Sequence, residues 1–302
     1  MKPTLSLTAA TAVAILASTP AMAADGDWTG FHVGAGFGGA HSTSNLGAGA
    51  QGSGLGETYG TYACGEAVTC GEQDYFNLDA ATASHAGKTS AFGTVEVGYD
   101  YQVGSKFVVG ALANYDFAGK SHASSIGGGH WESGTNFGTV NLNGDFTATD
   151  NNVYDTGATA ITSTVTLKDS WALGARAGAL VNDKTLVYAA GGYTETKIQL
   201  DAAAAILPSP QDYIGVANFD LSSAAISTSR WKSGYFVGAG VETLLGNNLS
   251  AKLEYRYANY GSVGVSASDT FSVGNVSGTV SGRAAADDIV NHSLRFVLSY
   301  RL

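Results

Sequence analysis

His292-Ser-Leu-Arg-Phe-Val-Leu-Ser-Tyr-Arg-Leu302 closes the chain in strict alternation. His292, Leu294, Phe296, Leu298, Tyr300 and Leu302 share one face, and Ser293, Arg295, Val297, Ser299 and Arg301 share the other. A period of two is a β-strand with two unlike faces. In a soluble protein the apolar face is buried under a second layer. The same pattern, with lipid outside and a polar interior, is that of a transmembrane barrel strand. The neighbouring stretches decide between the two.

Working back from the end, Leu249–Tyr260 sets Leu249, Ala251, Leu253, Tyr255 and Tyr257 against Lys252, Glu254 and Arg256. Trp231–Leu245 sets Tyr235, Val237, Ala239 and Val241 against Gly238, Gly240 and Glu242. The alternation recurs in Asp169–Val181, where Trp171, Leu173, Ala175, Ala177, Ala179 and Val181 oppose Arg176, and in Phe107–Ala118, where Asn114 and Asp116 lie on the polar face. In Thr89–Tyr101, Ala91, Val95, Val97, Tyr99 and Tyr101 oppose Thr94, Glu96 and Asp100. The first strand begins after Asp27-Trp-Thr-Gly30; its Phe31, Val33, Ala35 and Phe37 alternate with Gly30, His32, Gly34, Gly36 and Gly38, as a narrow interior requires. Leu186–Lys197 is an eighth strand whose poor alternation leaves its facing open.

Connections alternate between long and short. Tight turns follow Tyr101, Val181 and Leu245, whereas residues 40–88, 119–168, 198–230 and 261–288 read as long polar loops. Within the third, Asp201–Ile206 is a candidate helical turn that Pro208 and Pro210 keep short. Loops of that length count against a compact soluble domain and are expected outside the cell in an outer-membrane barrel. Strand lengths suit the ~9–11 residues of a tilted membrane strand. Tyr99, Tyr101, Tyr257, Tyr260, Tyr300, Trp28, Trp171 and Trp231 fall near strand ends, where aromatic girdles are expected. The expectation is an all-β, eight-stranded, antiparallel up-and-down transmembrane barrel with four long extracellular loops. The even strand number puts both termini in the periplasm.

Composition agrees. Lys2, the charge-free apolar run from Leu5 to Ala17, and Ala21-Met-Ala23 form a secretory signal peptide cut after Ala23, leaving 24–302 as the barrel domain. Beyond it no apolar run reaches the ~18 residues of a membrane helix. Charged residues are 13% of the chain, about half the share in soluble domains, and hydrophobic residues at 44% exclude disorder. The net charge of −10 argues against nucleic acid as a partner, because that affinity rests on Lys and Arg against phosphates. Cys64 and Cys70 are the only cysteines in an exported chain and read as a disulfide.

The stretches Asp27–Gly39, Tyr235–Glu242, Leu249–Tyr257 and Leu294–Leu302 resemble, in order, the first and the last three strands of the small porin-like, OmpA-like outer-membrane β-barrel family of Gram-negative bacteria. The resemblance implies insertion by the outer-membrane assembly machinery, which reads the last strand through Phe296, Tyr300 and the terminal Leu302. It implies outer-membrane lipid and lipopolysaccharide as surroundings. No peptidoglycan-binding domain is expected after the last strand.

For chemistry, Glu96, Arg176, Glu254 and Arg295 fall near mid-strand on inward faces, flanked by Lys252 and Arg256. Charges at membrane depth persist when paired or facing water, so these residues read as an internal charge network that blocks wide passage. A narrow channel for small solutes or ions is the alternative. His292 and Ser293 are strand neighbours on opposite faces, which prevents one from activating the other. No catalytic residues and no resident cofactor are expected. In the loops, acidic residues outnumber basic ones three to one. His41, His85, His122 and His130 leave a haem-binding receptor as a further alternative, alongside an extracellular ligand whose chemistry the Ser/Thr/Gly-rich composition does not name. The role expected is non-enzymatic, in envelope structure and surface interaction.

Overall fold

The computed structural model describes residues 27–65, 68–118, 121–206, 224–246, 248–273 and 276–302. The proposed signal peptide with its cleavage at Ala23, and Pro208 and Pro210, lie outside the described residues. The strands are β1 (Gly30–Gly65), β2 (Val68–Val103), β3 (Phe107–Ala118), β4 (Ser121–Val140), β5 (Phe146–Asn182), β6 (Thr185–Ile206), β7 (Ala224–Gly246), β8 (Leu249–Val273) and β9 (Val276–Arg301). All ladders between them are antiparallel.

The sheet closes on itself. β1 pairs with β2 on one side and with β9 on the other, through Phe31↔Tyr99 and Val33↔Tyr300. β3 and β4 occupy one position in the ring, since each lies between β2 and β5. The result is a ring of eight strand positions, an antiparallel up-and-down barrel. Alternation dictates the facing throughout: Phe37, Val97, Val109, Leu173, Val241, Leu253 and Leu298 are exposed on the outer wall, and Thr94, Asn114, Arg176, Glu242 and Ser299 are buried inside. β6, whose facing the sequence left open, turns Leu186, Tyr188, Ala190 and Thr194 inward and Val187 and Tyr193 outward.

The outer wall carries an apolar band between two aromatic belts. Near the short turns, Phe31 meets Tyr99 edge-on at 4.8 Å. At the other limit lie the pairs Tyr115–Phe117, Trp171–Tyr193 and Tyr235–Tyr257. The 12 residues of β3 cover this band; at ~3.3 Å per residue and a tilt near ~45° they rise about 28 Å, the depth of a hydrocarbon core. Two aromatics expected in the belts are elsewhere. Trp28 (0% exposed) and Tyr260 (4%) are buried within the barrel.

The four long connections differ from loops in one respect: most of their described residues continue the sheet. β1 and β2 each run for 36 residues, about three times the membrane depth, and pair from Gly30↔Asp100 out to Gly65↔Val68. The candidate helical turn at Asp201–Ile206 is strand, paired with 159–164 of β5. The reason is physical. Away from lipid the outer face need not be apolar, and the inner face carries only scattered large apolar residues such as Leu46, Ile198 and Leu200 among Gly, Ser, Ala and Thr, so the ladder extends with little alternation to announce it. Asn141 builds the turn between β4 and β5, accepting hydrogen bonds at its Oδ1 from the backbone N–H groups of Asn143 and Asp145, both at 2.9 Å. The Cys64–Cys70 disulfide clips the tip of the β1–β2 hairpin. Beyond Tyr235↔Asn259 the described residues of β7 and β8 form no ladder, and the Arg230 side chain bonds the Gly264 carbonyl there at 2.6 Å.

Closure depends on close approach at the β1–β9 seam. A Cβ on Gly36 would collide with the Phe296 carbonyl and the Val297 backbone of β9. We expect Gly36→Val to prevent the barrel from closing. Heat-modifiable migration of the wild-type protein on gels, absent in the variant, is the measurement; a variant that keeps the compact band contradicts the seam assignment.

Candidate functional site: the filled lumen

Among the described residues, the lumen at membrane depth holds five buried carboxylates, Glu96, Asp100, Asp116, Glu242 and Glu254, and five buried permanent cations, Arg176, Lys252, Arg256, Arg295 and Arg301. The equality matters, because an unpaired charge in so dry a space costs several kcal/mol on the order-of-magnitude scale for buried ions.

At the end bearing the short turns, Trp28 folds beneath the strands, its amide donating to Gln102 Oε1 (3.0 Å) and its indole N–H to the Asp183 carbonyl (3.3 Å). The Arg301 guanidinium stacks on this indole at 4.8 Å, donates to the Trp28 carbonyl (2.6 Å), and pairs with Asp100 (2.7 Å) and Glu242 (3.2 Å). Arg176 also joins these two carboxylates, donating from Nε to Asp100 (2.8 Å) and from Nη1 to Glu242 (2.6 Å). Gly110 faces both Asp100 and Arg176 in register, and a Cβ there would strike the Asp100 carboxylate. Glycine is therefore what lets this pair cross the intervening strand.

One layer further in, Lys252 of β8 reaches across to Glu96 of β2. His32 lies 3.6 Å from Glu96 and 3.5 Å from Asp100. Tyr188 donates to Glu254 at 2.7 Å past Gly240, where a Cβ would sit 2.6 Å from the phenolic oxygen. In the third layer Arg256 bonds Glu254 and the side-chain Oδ1 of Asn114 on the opposite wall (2.8 Å), and Arg295 binds Asp116 with both terminal nitrogens at 3.3 and 3.1 Å. Each luminal arginine also covers an aromatic ring: Arg176 on Tyr188, Arg256 on Phe236, Arg295 on Phe92 and Arg301 on Trp28.

Beyond Arg295 a cavity of about 30 Å³ is lined by hydroxyls from Ser42, Ser90, Ser170, Thr196 and Ser293, space for a few waters at most. Then the lumen becomes apolar, with Leu46, Val165, Ile198, Leu200, Val263 and Ile289 all buried and packed together. Near the far end Phe76 packs against Trp131 and Phe271.

The structure brings the six residues named from sequence, Glu96, Arg176, Glu254, Arg295, Lys252 and Arg256, into this one core. Asp100, Asp116, Glu242, Arg301 and His32 complete the core; all share the inward parity of those six, and that parity is the sequence signal for them. Tyr188 was hidden by the weak alternation of its strand. Of the assembly-strand residues, Phe296 and Tyr300 lie on the outer face of β9 and Leu302 follows its last residue, with the Leu302 amide bonded to the Phe31 carbonyl (2.8 Å).

The histidines are dispersed. His41 bonds Thr89, His85 bonds Asn45 and His122 bonds Thr166, while His130 stands on the outer face of β4. His292 meets Tyr255 outside while Ser293 is buried inside. Among the described residues no group of three or more His, Cys, Asp or Glu side chains is placed to hold a metal ion.

Residues 100–301, two thirds of the chain, match the family model of the outer membrane protein beta-barrel domain. The chain belongs to that family. Membership places this barrel in the outer membrane. No curated protein matches the sequence. Among solved structures, the chain is similar to the outer membrane protease OmpT of Escherichia coli (9% identity, TM-score 0.34, 90% of this chain and 97% of that one). It is also similar to Ail, the attachment invasion locus protein of Yersinia pestis (11%, 0.25, 82% and 97%), and to OprG of Pseudomonas aeruginosa (11%, 0.33, 92% and 99%). Likenesses this remote carry no argument about what the barrel does.

The charge layers make distinct demands on substitutions. Arg176→Met leaves Asp100 and Glu242 short of a partner in a dry interior and should cost about 3–5 kcal/mol. Replacing both members of a pair, Lys252→Met with Glu96→Gln, should cost less than either single change. Urea unfolding followed by tryptophan fluorescence in detergent micelles gives both values; equal losses for single and double replacements would sink the pairing argument.

Proposed function

We propose that this outer-membrane barrel is a closed, non-enzymatic anchor that contributes to envelope structure and presents its long strand arms outside the cell for surface interaction. The carrying observation is that the lumen is filled in series, by Trp28, by the balanced charge layers, and by the apolar layer around Ile198, Leu200 and Ile289. An ion crossing the lumen meets fixed, paired charges and, in series with them, large apolar side chains among which only scattered buried hydroxyls such as those of Ser44 and Ser163 could replace its hydration. Both termini lie on the periplasmic side in this reading, with the short turns. Outer-membrane lipid and lipopolysaccharide surround the apolar band, and the assembly machinery reads the outer face of β9.

The dispersal of the histidines, each engaged with a different neighbour or alone on the wall, favours this reading over haem capture. The separation of His292 from Ser293 by the sheet itself favours it over hydrolysis.

In planar bilayers the purified protein should show no steady conductance, and Arg295→Ala should leave that baseline unchanged. Stable conductance levels that Arg295→Ala abolishes or reshapes would replace the anchor by a pore for small solutes or ions. Orientation is tested on intact cells. Leu142→Cys, fully exposed in the turn between β4 and β5, should react with a membrane-impermeant maleimide, and Ser105→Cys in the short turn should not. The reverse pattern inverts the barrel.

A further inference from the structure

The outer wall beyond the membrane band carries a groove of about 440 Å³. It crosses four adjacent strands. Ser281 of β9, Gln51 of β1, Asp79 of β2 and His130 of β4 lie side by side in one row of the register. Thr279, Ser53, Asn77 and Glu132 form the next row. With strands ~4.8 Å apart, each row offers a polar side chain at that interval over about 15 Å.

Several of these groups are uncommitted. Among the described residues the side chains of Gln51, Asp79 and His130 have no hydrogen-bond partner. Asn77 donates from its amide nitrogen to Glu132 Oε1 (3.2 Å), which directs its own carbonyl oxygen to other donors.

The chemistry of the rows excludes most ligand classes. Every side chain in them is polar, and between them the lining adds only Gly52 and the largely buried Leu78, so an acyl chain or other apolar ligand has little to bury against. They hold no Lys or Arg, and a phosphate would face the Asp79 carboxylate. β1 and β2 are paired on both sides through this stretch, so an added peptide strand finds no open backbone edge. What remains is a ligand that is itself a dense array of hydroxyls.

We propose that this groove binds an uncharged, hydroxyl-rich saccharide chain lying across β9, β1, β2 and β4. The two Asp79 carboxylate oxygens accept from neighbouring sugar hydroxyls, the Gln51 and Asn77 amides supply complementary donors and acceptors, and His130 closes one end. This rests on the reading that the arms face outside and deepens it. Binding by purified protein is nevertheless independent of orientation and of conductance, so the two readings fail separately.

The test is isothermal titration of the detergent-solubilised full chain with three probes: maltohexaose, chitohexaose, and lipid-free O-polysaccharide from a Gram-negative lipopolysaccharide. At least one should bind, and Gln51→Ala with Asp79→Ala should weaken it about tenfold or more, the loss expected when hydrogen bonds to a charged group disappear. Ser229→Ala, exposed on the outer face of β7, should leave affinity unchanged. Binding of the O-polysaccharide alone assigns the groove to envelope sugar; binding of a free oligosaccharide assigns it to a foreign glycan. Heat-modifiable migration verifies that each variant is folded. Should the double variant not fold, Ser53→Trp, which fills the groove from its centre, should abolish binding. No binding by any probe, or binding indifferent to these substitutions, overturns the proposal.

Discussion

Charge balance inside the barrel is the constraint on which the rest of this structure depends. Eight strand positions enclose a space too narrow for bulk water and too polar at membrane depth for an ordinary apolar core. Five carboxylates and five cations resolve the conflict only because each reaches a partner on another strand or two residues along its own. Lys252 to Glu96 and Arg295 to Asp116 span strands that are not neighbours, so the pairs act as struts across the cylinder. The luminal glycines are the other half of the same solution. Gly110 and Gly240 are gaps through which a neighbour's side chain reaches its partner.

The interior changes character along its axis, and the change follows the surroundings. Where lipid covers the outer wall, hydrophobic burial is supplied from outside and the lumen can be polar. Beyond the band the outer wall is polar and wet, so the sheet needs an apolar inside, and Leu46, Ile198, Leu200 and Ile289 provide it. The same strands, β1 and β2 among them, therefore reverse their hydrophobic face between membrane and solvent without a change in parity.

This reversal explains what was legible in the sequence. In 249–260 and 292–302 the lipid face is apolar and the luminal face charged, so the alternation was plain and facing followed from it. In β6 the luminal Leu186, Tyr188 and Ala190 resemble the lipid-facing Val187 and Ala189, and the pattern cancelled. The arms were legible as polar segments but not as strands, because Gly, Ser, Ala and Thr fill most positions on both faces and the few large luminal residues, such as Leu46 and Ile289, leave only a weak period to read. The charge core was half visible. Inward parity located Asp100, Asp116 and Glu242 on the correct faces, but which pairs meet depends on register across the ring, which no single strand encodes. Trp28 was misread for a related reason: its position at a strand end suited a girdle, and only the folded chain shows the Arg301 guanidinium holding it beneath the lumen.

The β1–β2 hairpin, clipped at its tip by Cys64–Cys70, also has a mechanical meaning. A force drawing that tip away from the membrane runs along the strand axes. β1 is laddered to β9 from His32 to Gly56, and β2 to β4 over Thr69–Ala81. Such a load is carried in shear, by many backbone bonds at once, and cannot peel them apart singly. The disulfide keeps the two strands sharing that load at the point where it is applied. This arm of the barrel is thus built as a tether that resists tension.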